Sequence, residues 1–153
     1  MSFDVIGRKP NAISGKRFYR CVWHWPPLWD YCLSVSPEAR KVRVGHFNDG
    51  DGLTERNSKK LAATLRKHLA DGHTALAVSV REAFLALMPD EPCTTCGGTG
   101  RHAALAEIGV DEPCETCDSK GKMVASARHY HFGEQDVREF ADFLEQSGGF
   151  IIR

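Results

Sequence analysis

Hydrophobic and polar positions alternate with a helical period in two stretches. From Thr54 to Ala70, Leu61, Leu65 and Leu69 recur every fourth residue with Ala62 alongside, and Lys59, Lys60, Arg66 and Lys67 fall mostly elsewhere. From Glu134 to Gln146, Val137, Phe140, Ala141 and Leu144 form a stripe with Phe143 at its margin. Asp71-Gly72 and Gly148-Gly149 are the matching stop signals. A third helix is expected from Thr74 to about Met88, with Leu76, Val80, Phe84, Leu87 and Met88 apolar and Pro89 as its stop. It should fold back on the 54–70 helix as an antiparallel hairpin over an aromatic core. Pro26-Pro27 blocks any helix from crossing it and suits a first turn, which predicts a short helix from Pro27 to about Val35. Ser36-Pro37-Glu38 signals another short one.

Period-two patterns are fewer. Val42, Val44 and Phe47 alternate like a strand, and so do Met123, Ala125, Ala127, His129 and His131 within 123–132. Phe150-Ile151-Ile152 is an apolar tail that must dock, on a sheet edge in this chain or in a partner. Residues 1–14, with Gly7, Pro10 and Asn11, read as an arm that could add a short strand. The expected fold is α+β, mainly helical: one small domain with short strands and an inserted cysteine hairpin. Its parts are a basic arm (1–17), an aromatic and helical core (18–91), the hairpin (92–122), and a strand, helix and tail packing back on the core (123–153).

The hairpin rests on Cys93-Thr-Thr-Cys96 and Cys114-Glu-Thr-Cys117, two Cys-x-x-Cys pairs separated by 17 residues. Two residues between cysteines let one tight turn aim both sulfurs at one point, and four such sulfurs suit zinc. Gly98, Gly100 and Gly121 permit the reversals that follow each pair. Pro92 and Pro113 before the pairs and glycines after them favour metal knuckles over a redox motif, and no signal-peptide pattern supports disulfides. Four thiolates close the coordination sphere, so one structural Zn²⁺ is expected and a catalytic one is not.

The first knuckle resembles the Cys-x-x-Cys-x-Gly-x-Gly repeat of DnaJ (Hsp40) cochaperones, which Cys93, Cys96, Gly98 and Gly100 match at every fixed position. Cys114, Cys117 and Gly121 match too, with Ser119 in place of the first glycine. No His-Pro-Asp tripeptide of a J-domain is present, so the resemblance implies a zinc hairpin and not Hsp70 stimulation. Phe47-Asn-Asp-Gly50 and the segment Val137 to Phe150 look similar to small uncharacterised bacterial and phage proteins with a comparable four-cysteine module. That resemblance implies a prokaryotic or viral source and brings no activity with it.

Composition bounds the rest. Formal net charge is zero, 42% of residues are hydrophobic and 26% charged, as in an ordinary soluble globule. No apolar run is long enough to span a membrane, and cysteines in metal spacing point to a reducing cytoplasm. Charge is uneven. Residues 1–20 carry Arg8, Lys9, Lys16, Arg17 and Arg20 against Asp4, whereas residues 89–118 carry seven acidic side chains against Arg101 alone. An acidic metal module argues against nucleic acid as its ligand.

Trp23, Trp25 and Trp29 lie within seven residues. They read first as core, because tryptophan is highly buried on average. The alternative is an exposed platform that, with Arg17 and Arg20, would be a recognition surface. Cys21, His24, Cys32 and His46 could form part of a second metal site, and His129 with His131 could chelate, but no spacing links them into a catalytic constellation. Asn48-Asp-Gly-Asp-Gly52 lacks the calcium-loop pattern: counted from Asp49, the fifth place is Leu53 and the twelfth Lys60. Together these features predict a zinc-stabilised protein-interaction module (an adaptor, inhibitor or accessory factor) rather than an enzyme. A nucleic-acid-binding regulator using the basic arm and the aromatics is the alternative.

Overall fold

A computed structural model describes residues 2–101 and 112–153. Ala103 to Ile108, between the two cysteine pairs, suits about two helical turns by its sequence and lies outside the described residues. The described residues hold four α-helices, a small four-stranded antiparallel sheet and a two-stranded ribbon, which is the α+β, mainly helical class expected. The expectation of one domain meets a chain that divides into two compact units, residues 1–82 with 130–153 and residues 83–129.

The first unit is built on strands β1 (Ser2–Gly7), β2 (Arg17–Cys21), β3 (Gly52–Thr54) and β6 (Gly149–Ile152), in the order β2-β1-β6-β3. All neighbours are antiparallel, with Val5 opposite both Phe18 and Ile152, and Leu53 opposite Phe150. Successive side chains on a strand point to opposite faces, so Phe3, Val5, Phe18, Leu53, Phe150 and Ile152 share the buried face. The segment read as an arm that could add a short strand does add one. β1 is an interior strand, and the loop that follows it docks by backbone: Lys9 N–H donates to Ser147 O and Asn11 N–H to Gln146 O. The apolar tail docks within this chain, as β6 between β1 and β3.

Helices α1 (Trp25–Val35), α2 (Glu55–Ala70) and α4 (Glu134–Gln146) line the same core. α1 begins at Trp25, so both prolines sit in its first turn, where the missing N–H has no helical partner to lose. α2 and α4 meet along the predicted stripes: Leu61, Ala62 and Leu65 against Val137, Phe140, Ala141 and Leu144, all fully buried. At their crossing the buried Ser58 hydroxyl donates to Leu144 O at 3.0 Å and lies 3.2 Å from the Ser147 hydroxyl. Arg66 on α2 ion-pairs with Asp142 and Glu145 on α4 at the rim.

Several local patterns yield to tertiary context. The 42–47 stretch turns instead of forming a strand, because Gly45 O accepts a 2.8 Å hydrogen bond from the buried Trp25 Nε1 and Phe47 is exposed. Of the strand expected at 123–132, only Lys122–Met123 (β5) pairs, and residues 126–129 wind into a 3₁₀ turn. The third helix, α3 (His73–Leu87), forms as expected but meets the aromatic core only at its start: Thr74, its one buried residue, is bonded through its hydroxyl to Tyr31 at 2.8 Å, and Ala77 is partly buried against the core. The apolar side chains meant for that packing, Leu76, Val80, Phe84 and Leu87, are 60–84% exposed.

Truncating Phe140 to Ala leaves a void where five aromatic rings converge, which costs about 3–5 kcal/mol. Urea denaturation followed by tryptophan fluorescence should show the midpoint falling accordingly, with metal content per chain unchanged.

Candidate metal centre

Ribbon strands β4 (Glu91–Pro92) and β5 (Lys122–Met123) pair antiparallel, Pro92 opposite Lys122. Beyond them an isolated bridge joins Arg101 to Pro113. Between these clamps lie the two Cys-x-x-Cys turns. Their backbones repeat one another 21 residues apart. Gly98 N–H donates to Cys93 O at 3.2 Å, and Ser119 N–H to Cys114 O at 3.0 Å. Thr99 N–H reaches Cys96 O, as Lys120 N–H reaches Cys117 O. Each turn is then tied to the other: Cys93 N–H donates to Gly121 O and Cys114 N–H to Gly100 O, both at 2.9 Å. The unit is thus a pseudo-two-fold pair of knuckles.

This geometry places Cys93, Cys96, Cys114 and Cys117 together. All four are buried, and their sulfurs lie within 4.8 Å of one another. Sγ of Cys93 is 3.9 Å from that of Cys114, and Sγ of Cys96 is 3.8 Å from that of Cys117. Sulfurs placed tetrahedrally around a centre at about 2.3 Å would be about 3.8 Å apart, so the cluster could hold a metal ion without rearrangement. Backbone amides face the sulfurs as well: Gly100 N–H donates to Cys96 Sγ at 3.2 Å and Gly121 N–H to Cys117 Sγ at 3.3 Å. Burial opposes ionisation of Cys96, but the amides of Gly100 and Gly98 and the thiols of Cys93 and Cys117 outweigh it and draw its pKa down to about 6. Cys117 is pushed the other way, to about 11, first by burial and then by the neighbouring sulfurs. The amide donors thus favour the thiolate at Cys96 while burial and crowding by the other sulfurs oppose it at Cys117. A cation that drew off the remaining protons would relieve the crowding.

Two glycines are required by space as well as by dihedral. Gly100 has φ +77°, and a Cβ there would lie 2.4 Å from Ser119 O; Gly121 has φ +68°, and its Cβ would lie 2.2 Å from Gly98 O. The knuckles touch through these positions. Gly98, at φ +90°, needs the conformation but has room beside it. In the second knuckle Asp118 and Ser119 take the places of Gly97 and Gly98 and hold φ at +47° and +62°. The backbone is the same, with two side chains forced into the left-handed region.

Other candidate residues do not converge. Among the described residues, no other group of three or more His, Cys, Asp or Glu side chains is close enough to hold a metal ion. Cys32 is fully buried in the core, where the absence of solvation pushes its thiol pKa far up. His46 is 2.8 Å from Asp30. His24 stacks near His131, ring centroids 5.3 Å apart, with its Nδ1 3.6 Å from Asp136 Oδ1. His129 sits in the 3₁₀ turn, not across a strand from His131. A shallow groove of about 310 Å³ lined by Tyr19, Arg20, Cys21, His24 and Asp136 adjoins this cluster.

Trp25 and Trp29 take the core reading given them first, so the alternative recognition surface of Trp23, Trp25, Trp29, Arg17 and Arg20 does not form as a unit. Trp25 and Trp29 are fully buried and stacked on each other at 5.4 Å. Trp23 is half exposed, edge-on to Tyr130. Arg20 is held by Asp136 and Glu139 and lies over Phe18, and Arg17 is ion-paired with Asp4. The exposed apolar face of α3 is the surface that the sequence reading missed. Its helical periodicity was visible, and its lack of a covering element was not.

Comparison of the chain with protein-family models, with curated proteins and with solved structures finds no match. Among the described residues, no helix is long and apolar enough to cross a membrane.

Ser119→Gly should relieve roughly 1 kcal/mol of left-handed strain and slow metal loss to a chelator about fivefold. Gly121→Ala should abolish metal retention, because its new methyl would meet Gly98 O. Chelator competition followed by absorbance reads both, and equal rates for the two variants would contradict the assignment.

Proposed function

We propose that this chain is a zinc-stabilised protein-interaction module, an adaptor, inhibitor or accessory factor of a bacterium or phage, working in the cytoplasm. Zinc is the metal that best suits four soft sulfurs in a closed tetrahedral set. The sulfur separations, the burial of all four ligands and the amide donors support that identity. The DnaJ-like spacing of Cys93, Cys96, Gly98 and Gly100 points the same way. With every coordination position filled by cysteine, the metal has no place for a substrate. Its role is to hold residues 83–129 folded, which so short a segment does not achieve on apolar burial alone.

The observation that carries the interaction reading is the exposed face of α3. Leu76, Val80, Phe84 and Leu87 present a row of large apolar side chains to solvent, and such faces on soluble chains mark binding surfaces. The nucleic-acid reading has less behind it. Two of the three tryptophans are buried and cannot stack on bases. Arg17 and Arg20 are engaged by internal carboxylates, and Arg8 donates to Phe150 O at 3.2 Å.

Elemental analysis with native mass spectrometry on protein purified without added metal should give one zinc per chain, and Cys114→Ser should retain none. A photo-crosslinking side chain at Phe84, activated in cells, should give protein adducts. Adducts to nucleic acid from a probe at Arg17, with none to protein from Phe84, would overturn the reading.

A further inference from the structure

Helix α2 turns one side to the core and a face of a single charge to solvent. Ser58, Leu61, Ala62 and Leu65 are its buried residues. At 100° per residue, Arg56, Lys59, Lys60, Arg66 and Lys67 all fall within about 60° of Ala63, opposite Leu61 and Leu65. Ala63 and Ala70 fill the remainder of that sector, which holds no carboxylate. The neighbouring turn adds Lys41, whose Nζ donates to Asn57 Oδ1 at 3.0 Å. Carboxylates engage part of this set: Glu55 holds Lys59 at 2.6 Å, and Asp142 and Glu145 hold Arg66. Glu38 reaches Lys60 only at 4.0 Å. Among the described residues, no carboxylate comes that close to Lys41, Arg56 or Lys67.

A helix face that only stays hydrated mixes both signs and gains from pairing them four residues apart. α4 does so, with Arg138 four residues before Asp142. α2 does the opposite. Arg56 and Lys60 are like charges at that spacing, which costs stability, in a chain whose 20 basic residues are matched by 20 acidic ones. We propose that this ridge binds the phosphate backbone of a nucleic-acid duplex. The proposal is separate from the protein-interaction reading, which uses α3, and gives the chain a second surface. The basic arm and the tryptophans take no part in it.

The chemistry of the ridge selects among polyanions. Protein interfaces centre on apolar and aromatic side chains and are depleted in lysine, whereas this ridge has only two alanine methyls among its cations. A membrane-surface helix sinks an apolar face among the lipids, and the apolar face of α2 is inside the core. Single strands are held by stacking bases on aromatic rings, and no ring lies in the sector. A duplex presents closely spaced phosphates and requires only cations, because counterion release supplies the affinity. From Arg56 to Lys67 the ridge runs about 16 Å at 1.5 Å per residue, the rise of about five phosphates along one strand. The four cations not held by a close ion pair, Lys41, Arg56, Lys60 and Lys67, therefore neutralise about four phosphates, whatever the base sequence.

Fluorescence anisotropy of a labelled, random-sequence DNA duplex of about 20 base pairs, titrated with the full metal-loaded chain, tests this. We expect half-saturation in the micromolar range at about 50 mM salt and about fiftyfold weaker binding at about 150 mM, a logarithmic slope near −3.6. Arg56→Gln, Lys60→Gln and Lys67→Gln should each weaken binding and flatten that slope by about 0.9. Lys122→Gln, which removes an exposed cation from the ribbon, should leave both unchanged. The α2 side chains changed are exposed and glutamine suits a helix, so thermal midpoint and metal content stay at wild-type values. A wild-type chain that does not bind at about 50 mM salt overturns the proposal. So does a slope that the three α2 variants leave unchanged, or that Lys122→Gln flattens equally. Tighter binding to a single strand of the same length overturns the duplex assignment. Binding to vesicles of phosphatidylserine and phosphatidylcholine, with none to the duplex, makes the ridge a membrane contact and overturns it too. Crosslinking from Phe84 reads a different face, so the protein-interaction reading survives or fails separately.

Discussion

The ring of Phe140 is the point on which the first unit turns. Its centroid lies 4.9 Å from that of Phe18, 5.6 Å from Trp25, 6.1 Å from Phe143, 6.2 Å from Phe150 and 6.5 Å from Trp29. Those rings come from β2, α1, α4 and β6, so one side chain joins two strands of the sheet to two helices. Trp25 and Trp29 meet it edge-on, the geometry that the ring quadrupole favours. Trp25 then reaches outward through its indole N–H to Gly45 O, which bends the 42–47 segment into a turn. The strand pattern of that segment is overridden by a hydrogen bond to a residue twenty positions earlier.

The second unit is stabilised differently. Among its described residues the buried hydrophobic side chains are the four cysteines and Ala125, and its backbone closes on itself by paired amide-to-carbonyl and amide-to-sulfur bonds. In a segment this small, apolar burial does not offset the entropy of ordering the chain, whereas a bound ion supplies binding free energy directly as folding free energy. The aromatic unit depends on close packing of rings. The cysteine unit depends on four sulfurs being correctly placed, and a metal held there would need them deprotonated.

What could be read from the sequence follows from how local each feature is. α2 and α4 were legible because Leu61, Leu65, Val137, Phe140 and Leu144 repeat at helical spacing and end at glycines. The cysteine cluster was legible because two residues between cysteines and a glycine after them encode one turn. The sheet was legible only in fragments, as an arm that could add a strand and a tail that had to dock. β1 lacks a clear alternation, β3 is three residues long, and β6 pairs with strands that lie about 100 and 145 positions earlier in the chain. Trp25 and Trp29 could be read as core or as surface until the strands they pack against were known. The stripe on α3 looked like the stripes on α2 and α4, yet it faces solvent, because periodicity reports that a face is apolar and not what covers it. Ser119 in the second knuckle shows the opposite case. A departure from the glycine pattern leaves the backbone unchanged, because hydrogen bonds to Cys114 O and the neighbouring knuckle impose the left-handed turn.

The position of β6 sets an order of events during synthesis. Asp4 and Arg153 exchange backbone hydrogen bonds at 2.9 and 2.7 Å, and Phe150 completes the ring cluster around Phe140. The first unit therefore cannot close until Phe150 has left the ribosome, long after β1 emerged, and its folding carries the delay of its most distant contacts. The cysteine hairpin has its four sulfurs between residues 93 and 117, so a metal ion that they could hold would be captured while the remainder is still being translated. On a growing chain the inserted segment matures first. The unit into which it is inserted, begun earlier, is finished last.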